Sequence, residues 1–263
     1  MKVKFKISDE RFFNNGKIIL NAIPDVRDHI KKALSKEEII LTTRRKPKGK
    51  PEFDGINASS LNVALRRCLS AEAIRGETHV ENGVFFHTSK EGFDFSVYDE
   101  DYNMARLYNY YQGAIGVLNG DKKILELNKK MGFNKKEWKG KIAAISSKVA
   151  ENADYIIDKE RLTVAGELQF GNWALIYRDL FRLLDADSNP GVDFYIYVAA
   201  DDELSGLLSA NTVSYKSAGE VINAVTSAPR PSGCFSVDAR TCPSMSITQR
   251  STLVIPFSPS IVF

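Results

Sequence analysis

"AGELQFGNW", residues 165–173, places Glu167 and Gln169 two positions apart in an otherwise apolar run that closes on Gly-Asn-Trp. Alternate residues of a strand share a face, so Glu167 and Gln169 point one way while Leu168 and Phe170 take the other. The flanking sequence supplies the architecture. Upstream, "DYIIDKERLTVAGELQFGN" (154–172) has the apolar, β-branched character of strands and predicts a hairpin over 154–170 centred between Leu162 and Thr163. Downstream, "WALIYRDLFRLLDAD" has Ile176, Leu180, Phe181 and Leu184 on one side and predicts a helix over 173–185. "VDFYIYVAA" (192–200) is almost wholly apolar, which predicts a strand over 193–200 buried on both faces. Strand, helix and buried strand together predict an α/β fold with a mixed central sheet flanked by helices.

In the expected hairpin Asp158 lies opposite Glu167, where cross-strand Cβ atoms are roughly 4.5–5.5 Å apart. Two carboxylates converging on one point repel each other unless a cation or a proton resolves them. A hard divalent ion with oxygen ligands, Mg²⁺ above all, satisfies that need. Such an ion acidifies a bound water and neutralises charge on a phosphoryl oxygen, the demands of phosphodiester hydrolysis. Gln169 has no basic lone pair to act as a general base, but its amide can orient the attacking water. From spacing alone, a solvated edge hairpin with surface Glu and Gln is the commoner meaning of such a pattern.

The order Asp158, Glu167-Leu168-Gln169, Gly171-Asn172, Arg178 resembles the active-site segment of type II restriction endonucleases of the BamHI, BglII and BstYI group. That group belongs to the nuclease superfamily defined by Asp followed by Glu-x-Lys, and Gln in place of the lysine is typical of its BglII and BstYI side. The likeness runs from Asp158 to near Ala199, about 40 residues. It implies a restriction-endonuclease-like core, metal ligation by Asp158, Glu167 and the backbone carbonyl of Leu168, and a water-positioning Gln169. It also implies a base contact by Asn172, Arg178 at the DNA interface, and a GATC-centred target with staggered ends. Asn and Arg suit those roles chemically, Asn pairing with base edges and Arg gripping guanine or phosphate bidentately. Asn172 is equally a helix N-cap ahead of "WALIYRDL". Mg²⁺-dependent, sequence-specific cleavage of double-stranded DNA is the expected function. Cutting both strands of a palindrome calls for a symmetric homodimer.

The rest of the chain carries weaker signals. "DVRDHIKKALSKEEIIL" (25–41) predicts an amphipathic helix, and "NASSLNVALRRCLSAEAI" (57–74) another, with Asn57, Ser59 and Ser60 available as caps. Between them "TTRRKPKGKPEFDG" is a loop on its prolines and glycines, and Arg44, Arg45, Lys46, Lys48 and Lys50 give it charge that suits a phosphate backbone or plain solvent. "THVENGVFFHTSKEGFDFSVYDED" (78–101) predicts two or three strands, with His79 and His87 as ordinary strand residues rather than zinc ligands. Helices follow over 102–118, 120–133 and 134–153. Late in the chain, Arg240, Ser244, Ser246, Thr248, Gln249 and Arg250 sit in an expected loop or ribbon whose residue types suit groove readout and also any polar surface. One domain over 1–263 is expected, divided into an N-terminal helical and β elaboration (1–135) and a nuclease core (136–263).

Composition excludes several classes. Lys and Arg exceed Asp and Glu by 36 to 33, a balance that permits a polyanionic partner without demanding one. Three cysteines with no Cys-x-x-Cys pair make a poor disulfide framework and suit a reducing cytoplasm. "MKVKFKISDE" has no apolar core of a signal peptide, and no run approaches the roughly 20 apolar residues that span a bilayer. Gly-rich phosphate loops and a Gly-x-Ser-x-Gly elbow are missing from the sequence. A structure-specific or repair nuclease on the same core and a non-catalytic DNA-binding or scaffold protein are the rival readings. A glycosidase is poorer, since carboxylates opposed across a hairpin leave little room for a sugar.

Overall fold

The computed structural model describes residues 2–36, 39–44, 55–81, 83–87, 92–131, 135–188, 192–227 and 251–261. The N-terminal half runs β1 (Lys2–Ile7), β2 (Arg11–Phe13), α1 (Gly16–Ala22), α2 (Pro24–Leu34), β3 (Ile39–Ile40), β4 (Thr43–Arg44), β5 (Gly55–Ile56) and α3 (Ala58–Ala71). The antiparallel strands β6 (Arg75–Glu81), β7 (Val84–His87) and β8 (Phe93–Val97) and the helices α4 (Glu100–Gln112), α5 (Gly120–Met131) and α6 (Lys135–Ser146) follow. The chain closes with β9 (Val164–Gln169), α7 (Leu175–Ser188), β10 (Phe194–Ala200), α8 (Asp202–Leu207), α9 (Tyr215–Ser227) and β11 (Ser251–Ile261).

Among the described residues nine strands form one mixed sheet in the order β3-β1-β11-β10-β9-β8-β6-β7, with β2 on a further stretch of β11. β10 runs parallel to both β9 and β11, and the other pairings are antiparallel. The sheet draws β1, β2, β3, β6, β7 and β8 from before residue 135 and β9 to β11 from after it.

Period-two chemistry explains the centre. Phe194, Ile196, Val198 and Ala200 of β10 pack with Leu61, Leu65 and Leu69 of α3 and with Ile30 and Leu34 of α2. Tyr195, Tyr197 and Ala199 pack on the other face with Ile176 and Leu180 of α7 and Ala218 and Ile222 of α9. Each fully buried aliphatic or aromatic side chain here contributes about 1.5–3 kcal/mol. A third cluster joins β7 to α4 and α6 through Phe86, Leu107, Trp138 and Ile142. Local signals set the ends: Asn57 accepts from the Ser60 N–H at α3, and Asp99 accepts from the Tyr102 N–H at α4. The helix expected over 25–41 stops at Leu34, because Ile39 and Ile40 pair with β1 instead.

The expected hairpin over 154–170 is not formed, and β9 lies between β8 and β10. Residues 154–163 run without strand pairing because side chains satisfy their backbone. Asn109 exchanges hydrogen bonds with the Tyr155 backbone (2.7 and 3.0 Å), Asp99 accepts from the Glu160 N–H (2.9 Å), and Asp193 accepts from the Thr163 N–H (2.7 Å). With those groups taken, β9 turns its edge to a strand from far upstream.

Candidate active site

Glu167 and Gln169 are buried on the α7 face of β9, beside Ala165. Glu167 sits next to Tyr197 of β10, and Gln169 next to Ala199. On the other edge β8 pairs Phe95 with Gly166 and Ser96 with Ala165. Glycine is required at 166, since a Cβ there would run into the Phe95 ring.

That register brings the next residue of β8, Asp94, to Glu167. Phe93 packs on the α7 side, its ring 6.1 Å from that of Tyr195, whereas Phe95 joins the α3 side. The strand therefore departs from alternation at Asp94, where its direct pairing with β9 stops. The Asp94 carboxylate accepts from the Leu168 N–H at 2.7 Å and lies within hydrogen-bonding reach of Glu167. Arg66 of α3 binds both Asp94 and Glu77 of β6.

A second layer comes from α7. Asp179 is fully buried. One of its oxygens accepts from Arg178 Nε (3.1 Å) and Nη2 (2.8 Å), and the other from Gln169 Nε2 (2.7 Å). Arg182 binds Glu167 and stands 3.8 Å from Asp179. All of these groups except Asp179 line a cleft of about 770 Å³ whose walls include Asn62, His79 and Phe181.

The electrostatics are those of a site short of positive charge. Burial pushes the Glu167 carboxyl well above the ordinary range, Asp94 and Asp179 push it further, and Arg182 only partly offsets them. Burial also raises Asp179, more than Arg178 and Gln169 lower it. A hard cation fits this donor set: two carboxylates in mutual reach, one of them held in a form that resists ionisation until a positive charge arrives. Among the described residues no group of three or more His, Cys, Asp or Glu side chains is arranged to hold an ion, so Asp94 and Glu167 need a backbone or water oxygen beside them.

The structure departs from the expected site at Asp158. It is exposed, in the unpaired stretch before β9, and Asp94 takes the place opposite Glu167 that the hairpin would have assigned to it. Asn172 is exposed and its side chain accepts from the Ala174 N–H (3.0 Å), closing a turn before α7 rather than serving as the expected N-cap, since the helix starts only at Leu175. Arg178 reaches the cleft with 55% of its side chain exposed. Arg44 is exposed on the small β4–β5 ribbon, outside the main sheet. Arg45, Lys46, Lys48, Lys50, Arg240, Ser244, Ser246, Thr248, Gln249 and Arg250 lie outside the described residues. Sequence reasoning missed Asp94, Arg66, Asp179 and Arg182. The available signal was "GFDFSV", an acid enclosed by two phenylalanines inside an apolar strand.

Among solved structures, the crystal structure of restriction endonuclease BglII complexed with a DNA 16-mer superposes with a TM-score of 0.46 at 11% identity, over 97% of this chain and 76% of that one. No curated protein matches the sequence significantly. The family model for restriction endonuclease BglII/BglIII matches residues 8–231. That span runs from β2 through α9 and contains every residue of the cleft, so this chain belongs to the BglII/BglIII restriction endonuclease family, the type II site-specific deoxyribonucleases.

Proposed function

We propose that Asp94, Glu167 and the backbone carbonyl of Leu168 hold Mg²⁺, and that Gln169 directs the water that attacks a phosphodiester of double-stranded DNA at a short palindromic site. The family works with divalent metal ions. The observation that carries the finer reading is the convergence of Asp94 and Glu167, from strands far apart in sequence, in an arginine-lined cleft. The ion, when bound, supplies charge neutralisation and a more acidic water. This chain's own residues do the rest. Glu167 and Asp94 give up their shared repulsion on binding the cation. Gln169, clamped at both ends of its amide, fixes the direction of attack. Arg178 and Arg182 offer guanidinium groups to the scissile or flanking phosphate.

Arg178, on the first turn of α7, lines the cleft, and Asn172 lies in the turn just before that helix; a base contact by Asn172, a DNA contact by Arg178 and a GATC-centred target remain our reading of their roles. Arg44 and its basic neighbours, together with Arg240, Ser246, Thr248, Gln249 and Arg250, complete the proposed DNA contacts. Trp173, just before α7, and Tyr177 and Phe181 on it are four apart and 52%, 44% and 70% exposed, with Phe181 at the wall of the cleft. An apolar stripe of this kind on a surface helix supports a homodimer that supplies one site per strand.

The test is to incubate purified protein with plasmids of known sequence, with Mg²⁺ and with EDTA, beside Asp94→Ala and Asp158→Ala. Discrete fragments from wild type and Asp158→Ala in Mg²⁺ alone, and intact plasmid from Asp94→Ala, are expected. Mapping the ends yields the site. Full cleavage by Asp94→Ala would overturn the ligand assignment.

A further inference from the structure

The Gln169 carboxamide has two ends of nearly equal shape and opposite polarity. Rotation by half a turn would exchange an acceptor for a donor at whatever it faces. A residue that directs water needs one of those orientations held against the other. In this structure both ends have partners of fixed sense. The Gly171 N–H donates to Gln169 Oε1 at 3.0 Å, and a backbone N–H cannot accept. Asp179 Oδ2 accepts from Gln169 Nε2 at 2.7 Å, and a carboxylate cannot donate. Reversal would set N–H against N–H and oxygen against carboxylate. These two bonds leave one N–H of Nε2, on the side of the Tyr197 hydroxyl, and one lone pair of Oε1.

Asp179 is fully buried, and both of its oxygens are occupied as acceptors: two N–H groups of Arg178 donate to Oδ1, Gln169 donates to Oδ2, and Arg182 stands alongside while also holding Glu167. Burying a carboxylate is costly before such partners offset it, and an apolar residue would fill the same space without that cost. The charge has a specific recipient in Gln169.

We infer that Asp179 is a positioning residue for the hydrolysis reaction, setting the orientation of the Gln169 carboxamide from the first turns of α7. The inference rests on the proposed role of Gln169. It ties the helix that carries Arg178 toward DNA to the strand that carries the reacting centre, so that α7 and β9 are correctly placed together or not at all.

The experiment is a double-mutant cycle on single-turnover cleavage of a plasmid cut by wild type, at saturating enzyme and Mg²⁺, with DNA binding measured separately in EDTA. Gln169→Ala and Asp179→Asn are each expected to slow cleavage about tenfold or more. In the Gln169→Ala background, Asp179→Asn is expected to change the rate by less than about twofold, because the contact it breaks is already gone. Equal slowing in both backgrounds, or a wild-type rate for Asp179→Asn beside a slow Gln169→Ala, would overturn the inference and leave the role of Gln169 standing. A wild-type rate for Gln169→Ala would remove that role itself, and the inference with it. A readout independent of any variant's folding is the ¹⁵N spectrum of the wild-type protein. Its Gln169 side-chain NH₂ pair should show one deshielded, exchange-protected proton, and a freely exchanging pair would overturn the inference equally.

Discussion

The two faces of β10 are one residue apart and chemically opposed. Toward α3 the strand presents Phe194, Ile196, Val198 and Ala200 to a core of hydrocarbon. Toward α7 it presents Tyr195 and Tyr197 to a face that also holds Glu167, Gln169 and Asp179. The hydroxyl of Tyr195, wholly buried, has no hydrogen-bond partner. One face of the sheet is built for stability, and the other gives some of it up to keep acids close together. The fold tolerates the second because the first is so well packed.

Several measurements would break or sharpen that contrast. The largest effect belongs to Glu167→Gln, which keeps the shape and removes the charge: cleavage is expected to fall by a factor on the order of a thousand, while thermal stability of the metal-free protein rises. The sign follows from linkage. A carboxyl raised in the folded state holds its proton more tightly there than in the unfolded chain, so its contribution to stability is lost as pH rises from the unfolded carboxylate range toward the raised value. The advantage of the Gln variant should therefore widen between pH 4 and pH 7 (about the carboxylate range to neutrality). A variant that melts below wild type across that range would contradict the picture of a strained acid.

On the opposite face, Phe194→Ala removes a fully buried ring from the hydrocarbon side and is expected to cost about 3–5 kcal/mol in denaturant unfolding. Its immediate neighbour behaves differently. Tyr195→Phe deletes only an unpartnered hydroxyl and is expected to be neutral or to stabilise by about 1 kcal/mol. If the two substitutions cost the same, the faces are not distinct in the way described.

The smallest effect contrasts two acids. Glu72, at the end of α3, accepts from Lys32 and Lys36 at 2.8 Å each, and those hydrogen bonds pull its carboxyl down to about 2. Its contribution is present above the unfolded carboxylate value and is lost as pH falls from there toward 2. Glu72→Gln is expected to flatten that acid limb of the stability profile and to lower neutral stability slightly, since the lost contribution is the one present above the unfolded carboxylate value. Glu167, surrounded by acids, moves in the other direction.

Much of the nuclease core is legible along the chain, for a physical reason. The alternation in "GELQF" places Glu167 and Gln169 together whatever strand they pair with, since a strand's side-chain period is independent of its neighbours. The apolar run at 192–200 has no stable place except between two layers, and the helical spacing of Ile176 and Leu180 sets the buried side of α7. The expected helix at 173–185 and the observed Leu175–Ser188 differ only at their ends. The shorter helix at 25–41 and the missing hairpin at 154–170 were decided elsewhere, by strands and side chains distant in sequence.

The partner of Glu167 belongs to that second category. Sequence offers Asp158 nearby and Asp94 far away, and local spacing favours the near one. Tertiary structure chose Asp94, 74 positions from the Leu168 N–H that it accepts, because Asn109, Asp99 and Asp193 claim the backbone around Asp158 and leave the edge of β9 to β8. Arg66, Asp179 and Arg182 entered the site in the same way, from helices whose sequences announce only amphipathicity. By itself the sequence determined which residues of β9 face the chemistry, because that depends on backbone geometry within one strand. Which acid and which arginines meet them depends on non-local pairing, where the burial of whole faces outweighs any single charge.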